Sequence, residues 1–320
     1  MVAKLTDVAE LAGVSPTTVS RVINNKGYLS EKTKQKVQEA MRTLGYKPNN
    51  LARGLQGKSA QLIGLIFPNI SNIFYSELIE YLEIELFKHG YKTIICNSQN
   101  DPAKEREYIE MLEANQVDGI ISSSHNLGID DYERVSAPII AFDRNLAPNV
   151  PIIASDNFEG GKLAARTLQK NGCENIIMIT GHDNTDSPTE LRALGFSFQI
   201  PHGEVFKVPN NLSTIRREME IKSIIARNRP DGIFVSDDLT AILTMKIAKQ
   251  LDLKIPEDLK IIGYDGTSFI ENFFPQLTTI RQPIDEIASL LVDILLKRIK
   301  GEKTSKDYIL PISLLPGGSI

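Results

Sequence analysis

The sequence predicts an all-α N-terminal head of helix-turn-helix type, joined by a hinge helix to an α/β body of two doubly wound parallel-sheet subdomains. Three observations carry that expectation. From residue 60 onward, short apolar runs alternate with segments of helical period, the pattern of parallel strands covered on both faces. Before that point there are only helix-period segments, punctuated by Gly, Ser and Pro. The charge is also lopsided. The 320 residues carry a net −4, yet residues 1–58 hold ten Lys/Arg against four acids, which is +6 and leaves −10 for the remainder. A small basic head on an acidic body is the asymmetry of a nucleic-acid contact module joined to something else.

The head comes first. Thr6 is expected to cap the first helix, with Asp7 in its first turn and Val8, Leu11 and Ala12 facing inward. Gly13 supplies the positive φ that a tight corner needs. Ser15 caps the second helix, and Pro16 takes its first position, where the missing N–H costs nothing. Val19, Val22 and Ile23 form the inner face of that helix. Ser30 caps a third helix with Val37, Ala40, Met41 and Leu44 at helical spacing, closed by Gly45. The outer face of the second helix offers Pro16, Thr17, Thr18, Ser20 and Arg21 and no acid. A merely solvated helix mixes both signs, whereas these groups can meet base edges and phosphates of double-stranded DNA without repulsion.

The stretch that follows spells "ARGLQGKS", residues 52–59, which imitates a phosphate-binding loop. The order of elements is wrong for one. "LGYKPNN" before it is no strand, and "QLIGLIF" after it is a strand, not a helix whose N-terminus could meet phosphate. "NNLARGL" reads instead as a short hinge helix, capped by Asn49 or Asn50 and too short to stand alone. Leu51 and Leu55 share one face, and a leucine there can serve as an apolar wedge in the minor groove. A plain flexible linker is the simpler alternative. The expected division is therefore 1–47, 48–58 and 59–320.

In the body the expected strands are "QLIGLIF", "YKTIICNS", "VDGIISSS", "APIIAFDR", "NIIMITG", "DGIFVSDD" and "LKIIGYDG". "VDGIISSS" and "PDGIFVSDD" echo each other, which suits two similar halves. Parallel sheets bind ligands beyond the carboxyl ends of their strands. The residues placed there are Asp143-Arg144, Asp156-Asn157, Asp237-Asp238 and Asp265. Carboxylates with the fork donor Arg192 can grip adjacent hydroxyls of a sugar, and Phe74 and Tyr75 can stack on its ring. Each has an ordinary alternative. Asp156 and Asp238 are equally suited to cap helices, and Phe74 and Tyr75 to lie in the core. The negative charge of Asp237 disfavours a phosphorylated ligand and suits a neutral sugar.

Enzyme chemistry finds no support. The four histidines are scattered without metal spacing, no G-x-S-x-G elbow exists, and no Gly-rich dinucleotide turn follows the first strand. His125 and His182 do follow strands and keep a possible site role open. No cofactor, no metal and no catalytic group is expected. Cys96 and Cys173 read as buried structural thiols. With no leader pattern and no run of the ~20 apolar residues a membrane span needs, the chain is expected in the cytoplasm.

"DVAELAGVSPTTVSRVINN", "KVQEAMRTLGYKPNNLARGL" and "IGLIFPNISNIFY" resemble, in wording and order, the lactose-repressor (LacI/GalR) family of bacterial transcription factors. The N-terminal 33 residues and "FDRNLAP" are similar to the branch of that family that controls sucrose operons in Gram-positive bacteria. The resemblance spans the whole chain. It implies a periplasmic-binding-protein-like body, a homodimer on a palindromic operator, and a sugar (sucrose, fructose or a phosphorylated form) that releases the DNA. It places Pro16, Thr17 and Arg21 at base-reading positions, Leu55 at the minor-groove lever and Ala52 beside it. Thr6, Ser15, Thr18, Asn24, Ser30, Thr33, Tyr46 and Asn49 fall at or near phosphate-contacting positions. Arg192 falls at the effector-anchoring arginine and Asp265 at its partner carboxylate. Asp143 and Asp237 fall at sugar-hydroxyl positions, Phe74 and Tyr75 at cleft aromatics, and Ser123 is carried over as a further effector-binding position. Two departures stand out. Position 237 is Asp where the family often has Asn, and "SFQIPHGEVFKVPNN" after Phe196 is short, which implies a truncated helix and puts one cleft wall in doubt. With no leucine heptad at the C-terminus, a dimer is expected and not a coiled-coil tetramer. A periplasmic-type sugar receptor fits the body but not the basic head. A purine-type co-repressed or catabolite-type regulator with a phosphoprotein partner remains the alternative within the family.

Overall fold

The computed structural model describes residues 3–23, 27–47, 59–124, 126–181, 187–209 and 212–320. The chain divides into two compact units, Met1–Ala60 and Gln61–Ile320.

The first unit holds α1 (Leu5–Ala12), α2 (Pro16–Ile23) and α3 (Glu31–Leu44). Its core is Val8, Ala9, Ala12, Val19, Val37 and Ala40, with Val22, Ile23 and Met41 packed at the margin. Gly13 and Gly45 close α1 and α3 in the left-handed conformation, as their positions require. Two expectations shift. The N-cap of α1 is Lys4, because the Asp7 carboxylate reaches back to accept from its N–H at 2.8 Å; Thr6 therefore sits inside the first turn. The buried stripe runs from Leu5 through Val8, Ala9 and Ala12, so Leu11 points outward and is 53% exposed, and Leu44 is also exposed.

The second unit runs β1 (Leu62–Phe67), α4 (Ile73–Lys88), β2 (Lys92–Asn97), α5 (Pro102–Ala114), β3 (Gly119–Ser122), α6 (Ile129–Glu133), β4 (Ile139–Phe142) and β5 (Ile152–Ser155). It continues with α7 (Asn157–Lys170), β6 (Ile176–Thr180), α8 (Pro188–Gln199), β7 (Val205–Lys207), α9 (Thr214–Asn228), β8 (Gly232–Val235), α10 (Asp238–Gln250) and β9 (Lys260–Asp265). Last come α11 (Ser268–Phe273), β10 (Thr278–Arg281), α12 (Ile284–Ile299), β11 (Asp307–Leu310) and β12 (Ser313–Leu315).

The strands form two six-stranded sheets, ordered β11-β5-β4-β3-β1-β2 and β12-β10-β9-β8-β6-β7. Both are parallel except that β12 pairs antiparallel with β10. The two orders correspond strand for strand, so the internal echo has a structural meaning: β3 and β8 occupy the same place. Asp118 before β3 accepts from Leu62 N–H at 3.1 Å, and Asp231 before β8 accepts from Glu174 and Asn175 N–H at 2.8 and 2.9 Å. Each aspartate ties down the entry to its sheet's first strand.

Alternation along each strand feeds separate cores. In the first lobe Ile63, Leu65 and Phe67 pack under α4 and α12, while Ile66, Ile120 and Ala141 pack under α5 and α6. In the second lobe Ile177, Ile179 and Ile233 pack under α9 and α10, while Met178, Phe234 and Tyr264 pack under α7 and α8. The chain crosses between lobes after β5, after β10 and after β11. Both cysteines are buried. Among the described residues no helix is long and apolar enough to cross a membrane.

Candidate functional site

On the head, the N-termini of α2 and α3 are built alike. Ser15 Oγ accepts from Thr18 N–H at 3.1 Å and lies 2.9 Å from the Thr18 hydroxyl. Ser30 Oγ accepts from Thr33 N–H at 3.2 Å and lies 2.8 Å from the Thr33 hydroxyl. Pro16, Thr17 and Arg21 are exposed along one side of α2, with Val19 on the opposite side in the core. Thr6 is exposed on α1, and Tyr46 packs at the edge of the core after α3. Tyr28, which the sequence reading passed over, is fully exposed between α2 and α3. Asn24, Asn49, Ala52, Leu55 and the whole segment 48–58 lie outside the described residues, as do His125 and His182.

In the body, a cavity of about 380 Å³ opens at the carboxyl ends of both sheets, where the topology places ligands. The structure brings seven of the expected residues to it: Phe74, Tyr75, Asp143 and Arg144 from the first lobe, and Arg192, Asp237 and Asp265 from the second. Ser123 is not among the lining residues. It is buried behind Tyr75 and donates to the Tyr75 hydroxyl at 3.5 Å. Phe74 is largely buried and stacks on Phe142, so the two rings form a joint apolar patch in the wall.

Arg192 is the centre of the second lobe's contribution. It is buried, with its guanidinium 3.6 Å over the Tyr264 ring. Its Nε donates to Asn157 Oδ1 at 2.8 Å and its Nη1 to the Ser236 carbonyl at 2.6 Å, with Asp265 Oδ1 at 3.7 Å. Burial works against its charge, but Tyr264, Asp265, Asp143 and Asp237 outweigh it and raise the pKa further. A pair of glycines sets the position. A Cβ on Gly161 of α7 would overlap the Arg192 carbonyl, and one on Gly195 of α8 would overlap the Phe158 carbonyl. Only glycine at both positions lets the two helices approach this closely, and that approach delivers Arg192 to Asn157.

The carboxylates are each held. Asp143 Oδ1 accepts from Asn157 Nδ2 at 2.9 Å. Asp265 Oδ1 accepts from Gln282 Nε2 at 2.8 Å, and Gln282 in turn accepts from Ser155 Oγ at 2.7 Å. Burial pushes Asp265 up to about 7 in spite of Arg192. Burial also raises Asp143, against the pull of Arg192 and Asn157. Asp143 and Asp265 close the corresponding strands β4 and β9, and both have positive φ, 63° and 120°. Non-glycine residues seldom hold that conformation, and it turns both carboxylates out at the strand ends.

Around the cavity, one helix cap falls differently from expectation. Asp156 does cap α7, accepting from Glu159 N–H at 3.0 Å. At α10, however, the cap is Asp237, which accepts Thr240 N–H and the Thr240 hydroxyl, both at 2.8 Å. Asp238 is the buried residue behind it, holding Gly266 N–H at 2.8 Å and the Thr279 hydroxyl at 2.6 Å. The charge of Asp237 is thus spent on a helix N-terminus as well as facing the cavity. The shortened segment after Phe196 ends α8 at Gln199, yet the cavity is lined by the other end of that helix, at Pro188, Thr189 and Arg192. The cavity wall therefore does not depend on the missing turns.

Asn157 was expected at a strand end, but nothing in the letters said that it would bridge Asp143 and Arg192. Two further residues were not singled out from the sequence. Tyr264 was hidden in an apolar run. Arg217 lines the cavity from α9 and lay in a charged amphipathic stretch with no motif around it. The assembled groups are acceptors and fork donors at fixed positions beside aromatic rings, which suits a polyhydroxylated ligand. Among the described residues no cluster of His, Cys, Asp or Glu could hold a metal ion.

Comparison with known proteins agrees with this geometry. The family model for "bacterial regulatory proteins, lacI family" matches residues 4–49, and that for a periplasmic binding protein-like domain matches residues 165–320. A sucrose operon repressor of Streptococcus mutans is 74% identical over 320 residues, covering 100% of both chains. One of Lactococcus lactis is 50% identical over 315 residues, covering 97% of this chain and 98% of the relative. Among solved structures, the Lac repressor dimer bound to operator and the anti-inducer ONPF matches with a TM-score of 0.86 at 25% identity, covering 100% of this chain and 99% of that one. A periplasmic binding protein/LacI transcriptional regulator of Alkaliphilus metalliredigens, complexed with D-xylulofuranose, matches at 0.72 and 33% identity, covering 81% of this chain and 99% of that one.

Proposed function

Because the chain belongs to the lacI family of bacterial regulatory proteins, we propose that it is a sequence-specific DNA-binding repressor of a sucrose-utilisation operon, released from its operator by a sugar in the body cleft. The observation that carries this reading is the 74% identity, over the full length, to a sucrose operon repressor. The cavity chemistry supports it. Asp143, Asp237 and Asp265 can accept from sugar hydroxyls, Arg192 can donate to them, and the Phe74–Phe142 patch can meet a ring face.

In this reading residues 1–47 contact DNA, 48–58 form the hinge, and 59–320 sense the effector and dimerise. Pro16, Thr17 and Arg21 read bases, while Ser15, Thr18, Ser30 and Thr33 meet phosphates. Pro16 and Thr17 make few directed contacts, so part of the readout rests on DNA deformability. Two copies are needed, since one recognition helix covers one half-site of a palindrome. Without sugar, the body holds the two hinges together in the minor groove. Sugar draws the first-lobe groups toward Arg192 and Asp265, the lobes change their relation, and the hinges part. A coupling of a few kcal/mol suffices, since ~1.4 kcal/mol is tenfold in affinity.

The test is selection of a binding site from a random duplex pool by the full-length protein, followed by footprinting. A palindromic site protected on both halves is the expected outcome. Binding with no sequence preference, or a single unpaired half-site, would overturn the reading.

A further inference from the structure

Five buried polar residues form a circuit of hydrogen bonds where the chain crosses between the lobes of the body. Ser155 ends β5 and Asn157 opens α7, so both stand at the first crossover, and Gln282 stands at the second, between β10 and α12. Arg192 and Asp265 join them from the second lobe. All five are at most 7% exposed. Ser155 Oγ donates to Gln282 Oε1 at 2.7 Å, and Gln282 Nε2 donates to Asp265 Oδ1 at 2.8 Å. Arg192 Nε donates to Asn157 Oδ1 at 2.8 Å, and Asn157 Nδ2 donates back to the Ser155 carbonyl at 3.0 Å. One step stands open. Arg192 Nη1 is 3.7 Å from Asp265 Oδ1, beyond hydrogen-bond reach, and both residues line the cavity. A ligand hydroxyl seated between them can donate to the carboxylate and accept from the guanidinium, which closes the circuit through the ligand.

The two branches of the circuit differ. Asn157 touches Arg192 directly and also holds Asp143, so its part cannot be separated from binding. Gln282 lines the cavity too, yet both ends of its amide are engaged, one by Asp265 and the other by Ser155. Its backbone N–H also donates to the Asp265 carbonyl at 3.0 Å. Buried amide groups keep their partners, because an unmet one loses its hydration with nothing in return. A shift of Asp265 toward a ligand is therefore passed to the backbone that carries Gln282 and to Ser155, at the second and first crossovers. The third crossover is strapped to the first, since Asp156 N–H donates to the Leu310 carbonyl at 2.9 Å. Rotation of one lobe against the other has to run through these segments.

We propose that Gln282 is a positioning residue that carries effector engagement at Asp265 to the crossovers, so that the Gln282–Ser155 bond sets how far sugar releases the operator and not how tightly sugar binds. This rests on the cleft being the sugar site of a repressor. Ser155 is the sharper probe of the two, because it is not among the lining residues and reaches the cavity only through Gln282 and Asn157.

The test pairs two measurements on the full-length parent, Ser155→Ala and Gln282→Met. Fluorescence anisotropy gives operator affinity with and without sucrose, fructose or fructose 6-phosphate, and titration calorimetry gives the affinity for whichever of these releases the parent, so that each variant is compared at saturation. The parent is expected to lose about tenfold or more of its operator affinity. Ser155→Ala is expected to bind that sugar within about threefold of the parent and, once saturated, to lose less than about threefold of its operator affinity. Gln282→Met, which keeps the length of the side chain and loses both bonds, is expected to be released as little. Thermal melts establish folding; should Gln282→Met melt far below the parent, Ser155→Ala decides alone. Full release of either folded variant at saturation overturns the inference and leaves the sugar cleft standing, and so does a Ser155→Ala protein that no longer binds the sugar. A parent that none of the three sugars releases removes the cleft reading, and the inference with it.

Discussion

Replacing Gly161 by alanine sets two opposing effects against each other at one atom. Gly161 lies in the middle of α7, where alanine would ordinarily stabilise a helix by roughly 1 kcal/mol. Here the added Cβ would run into the backbone carbonyl of Arg192. A side chain could rotate away, but a carbonyl within α8 cannot. Relief comes only if α8 backs away from α7 as a body, and overpacking of this sort costs about 1–3 kcal/mol. With backbone meeting backbone the cost should lie toward the upper end of that range, so the clash should win, leaving a net loss of up to about 2 kcal/mol and a melting temperature lower by several degrees for a unit of this size. The movement would also carry Arg192 away from Asn157, so sugar affinity should drop by about tenfold or more. The assay is thermal unfolding together with sugar titration, with Gly128→Ala as the control. A Cβ at Gly128 meets nothing within 4 Å and its φ is −77°, so that variant should stay within ~0.5 kcal/mol of the parent. A Gly161→Ala protein that melts at or above the parent and still binds sugar would refute the close-approach account.

Other outcomes follow from the same geometry. Asp265 stands at about 7 in the folded chain, against ~3.9 when unfolded, so between those values the native state holds a proton that the unfolded state has lost. Stability should therefore fall as pH rises from 4 through 7, by at most ~1.4 kcal/mol per unit from this group. In Asp265→Asn that part of the slope should vanish, and melts from pH 5 to 8 that keep it would count against the assignment. Arg21→Ala should cost about 1–3 kcal/mol in operator affinity and relax discrimination at one base position; a loss uniform across sequences would make Arg21 a phosphate contact. Glu77 on α4 accepts from Ser268 N–H at 2.9 Å and from its hydroxyl at 2.8 Å, tying the lobes together beside the cleft. Removing it as Glu77→Ala should cost about 0.5–1 kcal/mol of closure, read as a several-fold weaker sugar affinity; an unchanged affinity would mean that this tie plays no part in closure.

Much of the fold is legible in the sequence because the period of its apolar residues is unambiguous. The seven expected strands and the three head helices are all present. The strands missed are β5, β7, β10, β11 and β12, each only three or four residues long, and a run such as "TTIR" hides a buried strand behind polar letters. Helix ends were read correctly where the cap stands alone, at Ser15, Ser30 and Gly13. They slipped where two residues competed: Thr6 against Lys4, and Asp238 against Asp237. In the cleft, carboxylates at strand ends were visible because topology puts ligands there. The bridging role of Asn157 and the place of Arg217 were not, because they depend on partners 35 and 23 residues away, Arg192 and Thr240. No local pattern encodes such pairings.

The most direct test of the central claim is the operator affinity of the full-length protein, measured by fluorescence anisotropy with and without saturating sugar, for the parent chain and for Arg192→Ala. The account predicts that sugar weakens operator binding by about tenfold or more in the parent. Arg192→Ala should bind the operator as the parent does without sugar, and should not respond when sugar is added. Sugar that binds the cleft without changing operator affinity, or an Arg192→Ala protein that still responds in full, would contradict it.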